Sequence, residues 1–352
     1  TPKLASLCYK KLFMSKKNSS AILKSGFQGL KDSSKVYLDF KSKLLKLKKK
    51  SFLVAVSGGP DSLALVALSK ALMHEKKLNF FYVLVDHNLR KNSANEANQV
   101  KKLLQKHSLH LNILLNKKKI KKNIQGIARK KRYEMLEKFS YKKKVNIILT
   151  AHNLEDQVET FFIRLSRGSG LRGLSAMRPL TKLNQKIFLF RPFLETKKKD
   201  LIKISKSIFG KYIKDPSNQN NKYLRTKIRS LKKPLIKSGI NYSQIIRSIN
   251  NLASSSSILE KYNRNVIKDV INKKNNMVLI HFNKFKILDD EIKISVINDS
   301  IKLLKKNYYN LRSKKVINLI KQLKFKSFKK ATLGGCLFFL KRDKLCLKEE
   351  KI

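Results

Sequence analysis

The chain has 352 residues, enough for a full hydrophobic core and two or three domains. Lys and Arg number 81 against 23 Asp and Glu, a net charge of +58 that points to a polyanionic partner, most simply nucleic acid, although Lys, Asn and Ile are abundant throughout and part of the charge is compositional. Cys8, Cys336 and Cys346 are far apart with no C-x-x-C, and the histidines are scattered, which argues against a disulfide framework or a zinc or iron–sulfur centre; no apolar run approaches a membrane span.

Residues 1–35 are basic, lack a clear period and are expected to form an N-terminal extension or transit-type lead-in. A helix is expected over 36–49. Phe52–Val56 is a short apolar run of the kind buried in a parallel sheet. The loop SGGPDS follows, with Pro60 where a helix should start, and that helix runs to about Glu75. Phe80–Val85 predicts a second strand, ending at Asp86 in the segment DHNLR. Ser93 with Glu96 three residues on reads as a capping box opening a helix to about His107. Leu111–Leu115 is a third strand. The basic run KKKIKK (117–122) reads as a solvated loop, and a helix carries GIARKKRYEMLEKF, Gly126–Phe139. Val145–Leu149 is the fourth strand. Alternation of this kind predicts an α/β fold, a doubly wound, mostly parallel sheet. Ligands of such sheets bind past the carboxyl ends of the strands, where Ser57, Asp86 and His152 all fall.

The next helix is capped by Asn153. Leu154, Val158, Phe161, Phe162 and Leu165 make its buried stripe. Glu155, Asp156 and Glu159 lie off that stripe, and Asp156 and Glu159 are expected to share one exposed face. The dipole alone favours acids there. Three acids within five residues of so basic a chain also suit a cationic substrate or Mg²⁺. Gly168 and Gly170 end this helix in RLSRGSGLRGLSAM. A strand at Phe188–Phe193, broken by Pro192, and a helix over about 197–208 follow. The polar turn at Asp215–Asn218 leads to a basic stretch in which Arg225 and Arg229, four apart, share a face. Boundaries are expected near 230 and 275, giving a catalytic domain (36–230), a helical middle domain (231–275) and a small α+β C-terminal domain (276–352) with a Gly turn at TLGGC.

SGGPDS lacks the G-K-[ST] of a Walker A loop and resembles the PP-loop signature of enzymes that cleave ATP between the α and β phosphates. Together with DHNLR, GIARKKRY, TAHNLEDQVET, RLSRGSGLRGLSAM, RPF, and D-P-S-N followed by YLRTKIR, in this order across about 50–230, it resembles the tRNA(Ile)-lysidine synthase family. Two positions depart from the family pattern: Glu155 stands where an aspartate is usual and Asn153 where a second histidine is common. The resemblance implies a cytoplasmic ATP- and Mg²⁺-using ligase, with a homodimer left open. Such an enzyme adenylates C2 of the first anticodon cytidine of a CAU-anticodon tRNA(Ile), then joins L-lysine there, releasing AMP and pyrophosphate. It implies ATP binding by Ser57, Gly58, Gly59, Pro60, Asp61 and Ser62, with Asp61 a candidate Mg²⁺ contact. It implies lysine binding by Arg132, Asp156 and Glu159, with Asp61, Asp156 and Glu159 as the catalytic set. The basic contacts expected for tRNA are Arg167, Arg172, Arg225, Lys227 and Arg229, with salt bridges to scattered acids as the competing account. Cytidine thiolation and an inactive tRNA-binding homologue are the alternatives; the first commonly uses paired cysteines.

Overall fold

A computed structural model describes residues 31–350 apart from 91, 118–119, 121–123, 214–223, 306–310, 312 and 326. Most of the basic lead-in (1–30) and the D-P-S-N turn (215–218) lie outside the described residues. The chain divides into two compact units, Thr1–Thr160 with Met177–Ile246, and Phe161–Ala176 with Arg247–Ile352.

The first unit opens with α1 (Lys31–Leu45) and then repeats strand and helix: β1 (Ser51–Val56), α2 (Pro60–Glu75), β2 (Asn79–Asp86), α3 (Ser93–Gln105), β3 (Leu111–Leu115), α4 (Ile124–Lys142), β4 (Ile147–Leu149) and α5 (Leu154–Leu165), whose residues from Phe161 on fall in the second unit. After α6 (Leu171–Leu174), which belongs to the second unit, come β5 (Leu180–Lys182), β6 (Phe188–Phe190), α7 (Lys198–Phe209), α8 (Leu224–Ser230) and α9 (Lys232–Lys237). The sheet order is β3-β2-β1-β4-β6-β5, parallel throughout except for the antiparallel edge strand β5. Phe52, Val54 and Val56 feed one core, with α1, α2, α3 and α7, while Leu53 feeds the other, with Leu136 of α4. A strand covered on both faces must be apolar at every step, which is why β1 reads as a continuous run.

Several boundaries differ from those expected, for local reasons. α1 stops at Leu45 because the chain turns through Lys48 at φ 50, with Lys48 N–H on Leu45 O. Val145 closes the end of α4: Lys144 adopts φ 55 and Val145 N–H returns to Ser140 O at 2.9 Å, a left-handed helix stop that delays β4 to Ile147. No capping box forms at Ser93. Asn92 is the N-cap, without a side-chain bond, and the Glu96 carboxylate pairs with Arg90 at 2.9 Å instead. The short strand β5 carries no alternation and was not anticipated.

In the second unit, α10 (Tyr242–Val270) enters from the first and leads into β7 (Ile271–Lys274), β8 (Met277–His281), α11 (Phe282–Lys286), α12 (Asp290–Leu304), α13 (Ser313–Gln322), β9 (Lys330–Leu333), β10 (Cys336–Lys341) and β11 (Lys344–Glu349). The antiparallel sheet β7-β8-β11-β10-β9 buries Val278, Ile280, Phe338, Leu345 and Leu347 against Val296 and Ile297 of α12 and Val316 of α13. The Gly turn falls where expected. Gly334 and Gly335, at φ 63 and 70, join β9 to β10 in a two-residue loop, the conformation that suits the twist of a hairpin.

Candidate active site

Strand order reverses between β1 and β4, and the crevice at such a reversal is where open α/β sheets take ligands. The loop after β1 is held from within. Ser57 donates to Ser62 Oγ through both its N–H and its hydroxyl, each at 3.1 Å, and Ser62 Oγ donates to Gly59 O at 3.0 Å. Gly58 sits at φ +79 with its carbonyl accepting Ile213 N–H at 3.0 Å, and a Cβ on it would lie 2.6 Å from Val100 Cγ2. Gly59 is the N-cap of α2 and makes no side-chain cap; Pro60 supplies the first helical residue. The first turn of α2 therefore keeps its amide donors and dipole for an anion.

The loop after β4 is joined to the first by Asn153. Asn153 Oδ1 accepts Asp156 N–H at 3.0 Å, and Asn153 N–H donates to Asp156 Oδ2 at 3.1 Å, a reciprocal cap on α5. The Asn153 side chain also lies against Asp61, where it opposes the rise in that carboxyl. Asp61 Oδ1 is buried without a hydrogen-bond partner. Burial pushes the Asp61 carboxyl up to about 6, against the opposing pull of the Lys198 charge.

The acids of α5 are not on an exposed face. Glu159 is 2% exposed, and both its oxygens are taken by α8: Oε1 by Arg229 Nε at 2.7 Å, Oε2 by Arg225 Nε at 2.8 Å and Arg229 Nη2 at 3.2 Å. Asp156 Oδ1 lies 3.6 Å from Arg225 Nη2. The expectation of exposure failed because helix periodicity shows only that Glu159 is off the apolar stripe, not that a second helix covers it. Glu155 has a structural task. Its Oε2 accepts Lys198 N–H at 2.9 Å at the start of α7, where the dipole favours an acid, and its Oε1 accepts from Lys232 Nζ at 3.2 Å.

Arg132, on α4, reaches the end of β2: its Nε donates to His87 Nε2 at 3.4 Å. Burial, with the Arg132 charge, lowers His87 to about 4, so the imidazole is neutral. His152, at the end of β4, is held well below the ordinary range by burial and by the charges of Arg191, Arg129, Arg225 and Arg132. Its Nδ1 is 3.0 Å from Thr150 Oγ1. Buried Arg191 donates to Arg178 O and Thr181 Oγ1, each at 2.9 Å. Sequence reasoning gave no role to His87 or Arg191, although a guanidinium inside the apolar run FLFRPF was a signal. Of the residues expected to meet tRNA, Arg225 and Arg229 turn onto Glu159. In the second unit Arg172 Nε is 3.4 Å from Glu260 Oε1. Arg167 and Lys227 are exposed.

A family profile described as the PP-loop domain matches residues 33–235. The chain is 41% identical over 184 residues to a tRNA(Ile)-lysidine synthase of Orientia tsutsugamushi (strain Boryong), covering 52% of this chain and 41% of that protein. It is 35% identical over 290 residues to a tRNA(Ile)-lysidine synthase of Wolbachia pipientis wMel, covering 80% of this chain and 67% of that one. The chain belongs to the tRNA(Ile)-lysidine synthase family. It spans only part of its relatives' length, about two-fifths to two-thirds in these two. Among solved structures, a U34-tRNA thiolase of Methanococcus maripaludis superposes with a TM-score of 0.52 at 16% identity, over 62% of this chain and 79% of that one. It shares the fold of this family, the PP-loop α/β sheet.

Proposed function

We propose that the chain is a tRNA(Ile)-lysidine synthase, acting in the cytoplasm on a CAU-anticodon tRNA(Ile) with ATP and L-lysine. The observation that carries this reading is the pairing, at one sheet reversal, of an anion cradle (57–62) with the acidic start of α5, in a chain of this family. The cradle suits the ATP phosphates, with Gly58 letting backbone approach closely. In the first step the cytidine C2 oxygen attacks the α-phosphorus and pyrophosphate leaves. In the second the lysine amine attacks C2, the C2–O bond breaks and AMP departs with that oxygen. The amine must be neutral to attack; Asp156, next to the cradle through Asn153, is placed to take its proton. Arg132 suits the lysine carboxylate and Glu159 an ammonium.

Mg²⁺ fits Asp61. The buried, unpartnered Oδ1 is a hard oxygen ligand, and this ion commonly takes one or two carboxylates plus substrate phosphates. Bound there it would offset charge on the pyrophosphate. Among the described residues, the cysteines Cys336 and Cys346 do not suit thiolation: both are buried, and burial raises their thiols. No helix among the described residues is long and apolar enough to cross a membrane.

The test is incorporation of labelled L-lysine into a CAU-anticodon tRNA(Ile) transcript, with Asp156→Asn in parallel. ATP-dependent incorporation that collapses in the variant supports activity and carboxylate role together. Incorporation surviving the substitution moves the proton acceptor elsewhere, and none in the wild type overturns the reading.

A further inference from the structure

The ion cluster around Glu159 is filled by the chain itself. Three hydrogen bonds from two guanidiniums use most of what one carboxylate can accept. The carboxylate is 2% exposed, whereas the side chains of Arg225 and Arg229 are 40% and 36% exposed. The arginines are thus the cover and the carboxylate what they cover. An external ammonium reaches Glu159 only if a guanidinium moves.

We infer that Arg225 and Arg229 determine substrate order: without tRNA they occupy the anionic site that takes lysine's ammonium, and tRNA phosphate draws them off it. The inference rests on the function proposed above. Two balances support it. A buried carboxylate stripped of its counter-ion is strongly disfavoured, so the arginines cannot leave Glu159 without a replacement cation, and the lysine ammonium is one. A guanidinium leaving a carboxylate likewise needs an anion, and phosphate offers the same bidentate geometry. The outward, half-open faces of Arg225 and Arg229 can meet a phosphate while their inner edges still hold Glu159. Each exchange keeps the number of charge-assisted bonds close to constant, so the two together can be nearly balanced where either alone is not. By linkage, tRNA then tightens lysine binding and lysine tightens tRNA binding by the same factor.

The experiment is equilibrium dialysis of labelled L-lysine against the full chain, with and without a saturating CAU-anticodon tRNA(Ile) transcript and with no ATP. In the wild type tRNA is expected to tighten lysine binding about tenfold or more. In the double variant Arg225→Gln, Arg229→Gln, lysine should bind without tRNA about as well as it binds the wild-type complex, with little further gain from tRNA. Equal lysine affinity in the wild type with and without tRNA overturns the inference while leaving the synthase reading intact. A double variant that folds and loses lysine binding also overturns it, making the arginines fixed supports of Glu159. Lysine that binds under no condition overturns the synthase reading, and this inference with it. Should the double variant not fold, wild-type protein with ¹⁵N-labelled arginine decides. The Nε–H signals of Arg225 and Arg229, which sit on Glu159 in the free protein, should shift when tRNA and L-lysine are added together, and signals left unchanged by the pair overturn the exchange.

Discussion

The two halves of the crevice are built on opposite terms. The half after β1 binds with backbone: a Gly at φ +79, an uncapped helix start and two serines that hold each other in place. The half after β4 binds with side chains, and its carboxylates already have partners: Asn153 and Arg225 at Asp156, Arg225 and Arg229 at Glu159. A backbone cradle cannot neutralise itself, so it stands ready for phosphate. A carboxylate cluster in a protein of net charge +58 readily finds guanidiniums of its own. An anion site can therefore be preformed in this chain, while a cation site has to be emptied.

The largest expected effect comes from breaking the backbone half. Gly58→Ala forces an L-residue into left-handed backbone, about 1–2 kcal/mol, and drives a methyl to 2.6 Å from Val100 Cγ2, typically another 1–3 kcal/mol of overpacking. The expected outcome is a loss of about 3 kcal/mol in urea unfolding, with ATP–pyrophosphate exchange lost alongside. A variant of wild-type stability would show that Val100 yields and the loop is not tightly packed.

Glu159→Gln tests the side-chain half. Removing one partner of a buried pair costs about 3–5 kcal/mol, but the side chains of Arg225 and Arg229 are 40% and 36% exposed, so water takes over part of their solvation. About 2 kcal/mol is expected, less than for Gly58→Ala. If the order of the two losses were reversed, the carboxylate cluster rather than the glycine loop would be the more stringent element. Asn153→Ala is smaller again. It removes the side-chain half of the reciprocal cap on α5, the Oδ1 that accepts Asp156 N–H, about 1 kcal/mol, and the side-chain contact with Asp61, while the backbone N–H on Asp156 stays. Urea midpoints compared with Asp156→Asn, which keeps a polar group at the cap, separate the two losses.

The same contrast decides what was legible in the sequence. The β1–α2 loop was readable because its signals lie within eleven residues, 52–62: the strand, Gly58, Pro60 and Ser62. The sheet was readable from runs such as FLVAV and FFYVLV, whose continuity itself states burial on both faces. The partners of Glu159 were not readable, because they lie 66 and 70 residues away and helix periodicity carries no record of what packs on a polar face. Asn153 falls between these cases. Its role as a cap was local and visible, but its contact with Asp61 joins loops from two strands and required the sheet order.

Protonation offers the finest test, because the two halves carry opposite dependences that largely mask one another. Asp61 in the loop after β1 has a carboxyl raised from 3.8 to about 6. Its folded form prefers the proton, so this contribution is complete below pH 3.8 and is lost as pH rises through 6. His87, beside Arg132, is lowered from 6.5 to about 4. Its folded form prefers to be neutral, so its contribution is complete above pH 6.5 and is lost as pH falls through 4. Between pH 4 and 6.5 one term grows as the other shrinks, and wild-type stability should change little on their account. Removing either group should expose the other. In metal-free buffer, relative to wild type, Asp61→Asn should lose stability more steeply as pH falls across this window, and His87→Asn should lose it as pH rises. Urea midpoints taken every half pH unit measure both slopes. Parallel curves for all three proteins would mean that neither group is held as buried as its surroundings indicate. Saturating ATP sharpens the comparison further: phosphate in the cradle should oppose ionisation of Asp61 and steepen its slope, while leaving that of His87 unchanged.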